Sequence, residues 1–131
     1  MKMKILTLGN LLSTAFVAIL VFTAGSNIAS AANTAKFVMS TNTPSVGQPV
    51  IFDGSASVCD NPSGCSYTWQ WFWRTSDGAT HVGGQMGRTP IITYTFDSFA
   101  ASKPYVIVQL KVASGRLQQS STASASFKVL P

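Results

Sequence analysis

The chain has 131 residues and a formal net charge of +5, with 46% hydrophobic, 11% aromatic and only 10% charged residues. This length allows one domain, since a second would be too small to bury its own core. The apolar content excludes a disordered protein. All four acidic residues are Asp and there is a single His, so most acid–base and metal-site chemistry lacks the residues that it needs.

Residues 1–31 have the pattern of a secretory signal peptide. Lys2 and Lys4 precede an apolar stretch that reaches about Ala24, and Ala29-Ser30-Ala31 has the small residues of a cleavage site. A retained membrane anchor is the rival interpretation, although a spanning helix needs about 20 apolar residues and polar residues interrupt this run. We expect cleavage, export to the periplasm or the medium, and only a transient contact with the membrane.

The charge that remains after cleavage is modest. Removal of residues 1–31 leaves 100 residues with seven basic and four acidic side chains, a net charge of +3. The basic side chains are scattered and form no run, whereas nucleic-acid binding needs a basic patch or stripe. We therefore expect no nucleic-acid partner.

Two cysteines, Cys59 and Cys65, bracket a turn-rich stretch that we name the cysteine loop. Two thiols at this spacing can meet across such a loop, and an exported protein reaches an oxidising compartment. Two thiols alone make a poor zinc site. The sequence predicts a disulfide that shapes the loop, and it predicts no metal site and no cofactor.

The rest of the chain reads as short β-strands. Runs rich in Val, Ile, Thr, Tyr, Phe and Trp alternate with clusters of Gly, Pro, Asn and Ser, and no helical period stands out. Seven such strands in about 100 residues are typical of an immunoglobulin-like antiparallel β-sandwich, which we expect to fill one domain, residues 32–131. The predicted strands are 35–41, 48–53, 66–74, 79–83, 90–96, 104–113 and 121–129.

Alternation separates core from surface. In strand 66–74, the side chains of Tyr67, Trp69, Trp71 and Trp73 share one face, and Phe72 lies on the other. In strand 104–113, the Val106, Val108, Leu110 and Val112 face is apolar, while the face that carries Tyr105, Ile107, Gln109 and Lys111 turns polar after Ile107. We expect the apolar face to be buried.

A family resemblance appears at these residues. The stretch Val46–Ser57, which reads Val-Gly-Gln-Pro-Val-Ile-Phe-Asp-Gly-Ser-Ala-Ser, resembles the opening of a polycystic-kidney-disease (PKD) type domain. Tyr67–Trp71 resembles the Tyr-x-Trp-x-Phe strand of that family, and Tyr94–Phe96 and Val106–Val112 resemble its last two core strands. The resemblance implies an immunoglobulin-like module that acts as a spacer or a contact surface.

The sequence departs from the family pattern at three places. Phe72–Ser76 intervenes before Asp77-Gly78, where the family usually has its Gly-Asp-Gly turn directly after the Trp strand. Tyr105 is one residue out of phase with the family's Tyr, which indicates a bulge or a different corner. The cysteine loop is an addition.

The carboxylates are best explained as structural. Asp53 and the pair Asp77-Gly78 have the composition of turns in which a carboxylate accepts backbone N–H groups. Some PKD-type domains bind calcium, but calcium needs six to eight oxygen ligands and the four Asp residues lie on different predicted loops. Asp77 with His81 lacks a positioned nucleophile or second carboxylate, so we expect no catalytic residues and no enzyme.

The run Trp69–Trp73 is the unusual feature of the sequence. Trp69 and Trp71 are explained as core, but Phe72 is on the opposite face and Trp73 is near the strand end, where the core thins. Exposed aromatic side chains at such a place mark a protein or sugar contact. Phe72 and Trp73 are the candidate contact surface, with ordinary packing as the alternative.

Two further stretches bear on partners. Gly83–Gly87 is Gly-rich but precedes no helix, so we expect an inter-strand loop and no phosphate site. Gln118–Ser126 has the small polar residues of an edge strand, which can pair with another chain. The sequence thus favours a secreted, non-catalytic subunit that binds an unknown protein partner or self-assembles. A polysaccharide-binding module that uses the same aromatics is the alternative.

Overall fold

Two antiparallel β-sheets pack face to face in the computed structural model, which describes residues 32–60, 64–114 and 119–131. The predicted signal peptide, residues 1–31, lies outside them. A three-stranded sheet has the order β1-β2-β5 and a four-stranded sheet has the order β4-β3-β6-β7, which confirms the predicted immunoglobulin-like sandwich. The elements are β1 (Val38–Met39), β2 (Pro49–Asp53), β3 (Ser66–Arg74), β4 (Thr80–Gly87), β5 (Ile91–Thr95), α1 (Ser98–Ala101), β6 (Val106–Ala113) and β7 (Ser120–Phe127).

Most strand limits agree with the sequence prediction, and β1 is the main exception. The strand consists of Val38 and Met39, which pair with Asp53 and Phe52 of β2, whereas the sequence predicts a strand over 35–41. The N–H of Ala35 instead donates to the Ser121 hydroxyl oxygen at 3.0 Å, and the N–H of Lys36 donates to the Ser57 hydroxyl oxygen at 3.0 Å. Side-chain oxygens thus replace the ladder here, which shortens the strand.

The prediction of a loop at Gly83–Gly87 is wrong, because β4 continues to Gly87. Gly84 pairs with Trp71 and Gly87 pairs with Trp69, with two register shifts along the β3–β4 ladder. Packing requires glycine at position 83, since a Cβ on Gly83 would lie 2.2 Å from the Trp71 indole. Turn composition was therefore a misleading signal at this position.

The core lies between the sheets, where alternation predicted it. Trp69 is fully buried and Trp71 nearly so, while Tyr67 and Trp73 are partly buried against them. The indole N–H of Trp69 donates to the carbonyl oxygen of Thr89 at 2.8 Å, which satisfies its one polar group. The core also contains buried side chains from both sheets and from the segments that follow β5 and β7. They include Val50, Phe52, Ile92, Phe96, Val106, Val108, Leu110, Val112, Phe127 and Val129.

One short helix joins β5 to β6. Asp97 caps α1 by accepting the Ala100 N–H at 3.0 Å, and four residues are too few to produce a helical period in the sequence. Across residues 32–60, 64–114 and 119–131, no helix is long and apolar enough to cross a membrane.

Candidate functional site

One face of the four-stranded sheet consists of the side chains that alternation turns away from the core. We name it the outer face. Strand register places Phe72 beside Val82 on β4 and beside Ile107 on β6, and places Ile107 beside Ser126 on β7. Val82, Phe72 and Ile107 thus form an apolar row across three strands, and the hydroxyl of Ser126 on β7 ends the row. The adjacent row consists of Gln85, Gln70, Gln109 and Ser124.

A groove of about 650 Å³ lies over this face. Phe72 and Ile107 are half-buried in it and Tyr105 is 38% exposed, so aromatic and aliphatic carbon reaches solvent. A second hollow shares Arg74 and Tyr105 with the groove and continues it toward the β3–β4 turn. The residues that line the groove are Phe72, Arg74, Thr80, Tyr105, Ile107, Gln109, Ser124 and Ser126.

The strands of the outer face carry basic side chains and no acidic ones. Arg74 and Lys111 are exposed on β3 and β6, and Lys111 pairs with Thr68 and Thr122 in a row of hydroxyl side chains. None of the four strands of this sheet carries an acidic residue. An anionic ligand would therefore meet no carboxylate from these strands.

A second aromatic group, the Trp73 cluster, forms around Trp73 on the core side of β3. The Trp73 ring stacks on the His81 ring with centroids 5.1 Å apart and meets the Phe99 ring edge-on at 5.2 Å. The Lys103 ammonium lies 3.9 Å from the Phe99 centroid and 5.1 Å from that of Trp73. These rings are thus occupied by one another and by an internal cation.

The two predicted contact residues therefore lie on opposite faces of one sheet. Phe72 opens onto the groove, whereas Trp73 is engaged within its cluster. Sequence reasoning misses Tyr105 as a contact residue, although the phase of the strand places it with Ile107 and Gln109. That phase difference from the family pattern was the available signal.

The Asp residues named as turn formers accept hydrogen bonds locally. Asp53 Oδ1 accepts the N–H and the hydroxyl of Ser55 at 2.9 and 2.6 Å. Asp77 Oδ1 accepts the Thr75 hydroxyl and, at 3.1 Å, the Ala79 N–H. Gly78 follows with a φ of +85°, a conformation that favours glycine.

These bonds to the charged form lower the pKa of both carboxyls. The hydroxyl and N–H of Ser55 hold the pKa of Asp53 below its ordinary value of about 3.8. The Thr75 hydroxyl, then the Ala79 N–H, do the same to the pKa of Asp77. Asp77 is exposed and Asp53 is half-buried, and in both cases the hydrogen bonds that lower the pKa come from residues two positions away.

The described residues contain no group of three or more His, Cys, Asp or Glu side chains that could hold a metal ion. The imidazole of His81 lies flat against Trp73, and its Nε2 is 3.4 Å from the Thr75 hydroxyl. That hydroxyl donates to Asp77. The three polar groups thus stabilise the β3–β4 turn, residues 75–79, rather than lining the groove.

Cys59 and Cys65 form the predicted disulfide, with Cα atoms 5.5 Å apart. Both are partly buried against the core. The Asn33 side chain ties the loop to the body of the domain, because its Oδ1 accepts the Asp60 N–H at 3.1 Å and its Nδ2 donates to the Gln119 carbonyl oxygen at 2.6 Å. The loop is thereby anchored at the opposite end of β3 from Phe72.

Comparison with known proteins finds similarity to a solved structure. No family model matches the chain, and neither does any curated protein. A solved structure described as "structural basis for the promiscuous specificity of the carbohydrate-binding modules from the beta-sandwich super family" is 27% identical, with a TM-score of 0.52. The match covers 77% of this chain but 35% of that one, so the chain spans about a third of its length. The likeness supports an immunoglobulin-like β-sandwich, while membership of the PKD-type family stays a prediction.

Proposed function

We propose that this protein is an exported, non-catalytic polysaccharide-binding module whose binding surface is the outer face. The observation that carries the proposal is the open groove in which Phe72, Tyr105 and Ile107 lie beside amide and hydroxyl side chains. Such a surface combines apolar contact area with a few polar groups that fix orientation, as ligand sites commonly do.

The chemistry of the groove suits a sugar chain. A pyranose ring presents C–H groups on its faces and hydroxyls at its edges, so it can stack on an aromatic face while its hydroxyls exchange hydrogen bonds. Gln109 can donate and accept, and the Ser124 and Ser126 hydroxyls can do both. The groove is open to solvent along the sheet, which suits a polymer that extends beyond its site.

The similar solved structure supports the same function. Its description concerns carbohydrate-binding modules of β-sandwich architecture, and the sheets of this chain have that architecture. The disulfide is typical of proteins that reach an oxidising compartment. An exported protein meets the polysaccharides of the cell envelope and of its surroundings.

Retention on immobilised polysaccharides tests the proposal. Phe72→Ala and Tyr105→Ala should each weaken retention by about tenfold, since each removes a stacking ring. Phe99→Ala is the matched control, because it removes an exposed ring from the Trp73 cluster and leaves the groove intact. Circular dichroism confirms that each variant is folded. Full retention of both groove variants, or a loss confined to Phe99→Ala, would contradict this placement of the site.

The export step has its own test. Mass spectrometry of the protein recovered from its own cells and medium should find a chain that begins at residue 32. A chain that still carries residues 1–31 would overturn the cleavage and favour a retained anchor.

Docking onto a protein partner, or self-assembly, is the second candidate function. Strand β7 is an edge of its sheet, and Val38, Ile51 and Ile91 expose apolar side chains on the other sheet. Edges and apolar patches are surfaces on which chains associate. Light scattering on the native protein decides it: a mass of several subunits or a second co-eluting protein supports this function, and a monomer contradicts it.

A further inference from the structure

We infer that the polysaccharide is acidic, and that Arg74 and Lys111 bind its carboxylate or sulfate groups on the outer face. This inference rests on the proposed function and specifies its ligand class. It follows from the placement of charge on the face and from the bonding state of the two cations.

The two cations flank the groove along the strand direction. Arg74 lines one end together with Tyr105, and Lys111 lies six residues beyond Tyr105 on β6. At roughly 3.3 Å per residue, that separation is about 20 Å. The rows of Phe72–Ile107 and Gln70–Gln109 lie in between. A chain laid along the strands would thus meet a cation, a stacking surface, an amide row and a second cation.

Neither cation is engaged by another residue that the structure describes. Across residues 32–60, 64–114 and 119–131, the side chains of Arg74 and Lys111 have no ion pair or hydrogen bond. The other lysines near aromatic or polar groups differ: Lys103 lies over Phe99, and Lys128 donates to the carbonyl oxygens of Ala101 and Lys103. Within the described part of the chain, nothing therefore uses the capacity of Arg74 and Lys111 to donate hydrogen bonds.

No carboxylate competes for them on the face. Asp53, Asp60 and Asp97 belong to other parts of the fold, at the end of β2, in the cysteine loop and at the cap of α1. Asp77 is the nearest along the chain to Arg74, and its carboxylate accepts from Thr75 and Ala79 within its own turn. A guanidinium and an ammonium without such a competitor favour an anionic ligand.

Pairs of polymers that share a backbone and differ in charge test the inference. Examples are carboxymethyl cellulose with hydroxyethyl cellulose, and dextran sulfate with dextran, each immobilised. Retention of the mature protein should be at least about tenfold stronger on the acidic member at low salt, and it should fall steeply as ionic strength approaches about 0.5 M.

Two matched double variants separate a built site from general charge. Arg74→Gln/Lys111→Gln should lower retention on the acidic polymer by about tenfold or more, because both charge-assisted contacts are lost. Lys36→Gln/Lys103→Gln changes the net charge equally away from the outer face, because Lys36 precedes β1 of the other sheet and Lys103 lies over the Phe99 ring. It should stay within about twofold of the wild type.

Each outcome has a distinct meaning. Equal retention on acidic and neutral polymers overturns the inference and leaves the proposed function standing. Equal losses in the two double variants also overturn it, since net charge alone would then explain binding. Retention on none of the polymers, with the fold intact, overturns the proposed function itself.

Discussion

The indole ring of Trp71 lies directly on the backbone of Gly83, so close that a Cβ on this glycine would be 2.2 Å from both Cδ2 and Cε2 of the indole. The ring is also held through its N–H, which donates to the Tyr94 hydroxyl oxygen at 3.1 Å. The edge strand β4 is thus fitted to a core tryptophan through a position that has no side chain.

Substitution of Gly83 should be costly, and substitution of its neighbour should not. Gly83→Ala is expected to lower the free energy of unfolding by about 1–3 kcal/mol through overpacking against Trp71. Gly84→Ala is the matched control, since its Cβ would lie 3.6 Å from Trp71 Nε1, an ordinary contact, and should stay within about 1 kcal/mol of the wild type.

Urea denaturation of the two variants measures this difference. Because neither glycine has a positive φ, backbone strain does not enter the comparison. Equal stability of the two variants would show that the Trp71 indole can move away from β4 at no cost.

The disulfide should contribute modestly to stability. Cys59 and Cys65 are six residues apart, and closing so short a loop restricts the unfolded chain by only about 2 kcal/mol. Cys59→Ala/Cys65→Ala should therefore lower the free energy of unfolding by about that amount and leave polysaccharide retention unchanged, because the loop is remote from the groove. Reduced wild-type protein serves as the control and should lose a similar amount. A loss of retention in either case would contradict the assigned location of the site.

Acid should weaken the turns that Asp53 and Asp77 hold. Their folded pKa values lie below the ordinary value of about 3.8, so the folded state binds fewer protons than the unfolded state in this range. The stability that they contribute is fully present above about pH 5 and is lost as the pH falls through the lowered folded values. Asp53→Asn/Asp77→Asn should be less stable than the wild type at neutral pH, and the difference should shrink near pH 2. Urea denaturation at the two pH values checks this, and a constant difference would argue against it.

The strand pattern was predictable because each buried strand repeats one face with a period of two. Val106, Val108, Leu110 and Val112 are buried as their alternation predicts, and the limits of β3 match the prediction. Burial with a period of two depends on the residues of one strand, so the sequence of that strand is enough to predict it.

The failures have a different origin, which is non-local packing. The Gly-rich end of β4 has loop composition, but the Trp71 ring requires glycine there. The sequence names Phe72 and Trp73 as the candidate contact surface with ordinary packing as the alternative, and it does not show that Trp73 packs against His81, Phe99 and Lys103. Phe99 and Lys103 are distant from Trp73 in the sequence, and His81 lies on the neighbouring strand β4. No periodicity of the sequence reveals these contacts. The groove itself depends on the register among four strands, which a single sequence does not show.

The two aromatic neighbours Phe72 and Trp73 should therefore separate binding from stability. Trp73→Ala removes the centre of its cluster and should lower the free energy of unfolding by about 2–3 kcal/mol. Phe72→Ala removes a ring from an open groove and should cost about 1 kcal/mol or less. Retention on polysaccharide should show the reverse order, with a large loss for Phe72→Ala and little change for Trp73→Ala measured well below its unfolding temperature. If Trp73→Ala lost retention while still folded and Phe72→Ala did not, the sugar would bind at the Trp73 cluster, and the Lys103 ammonium would have to leave those rings to admit it.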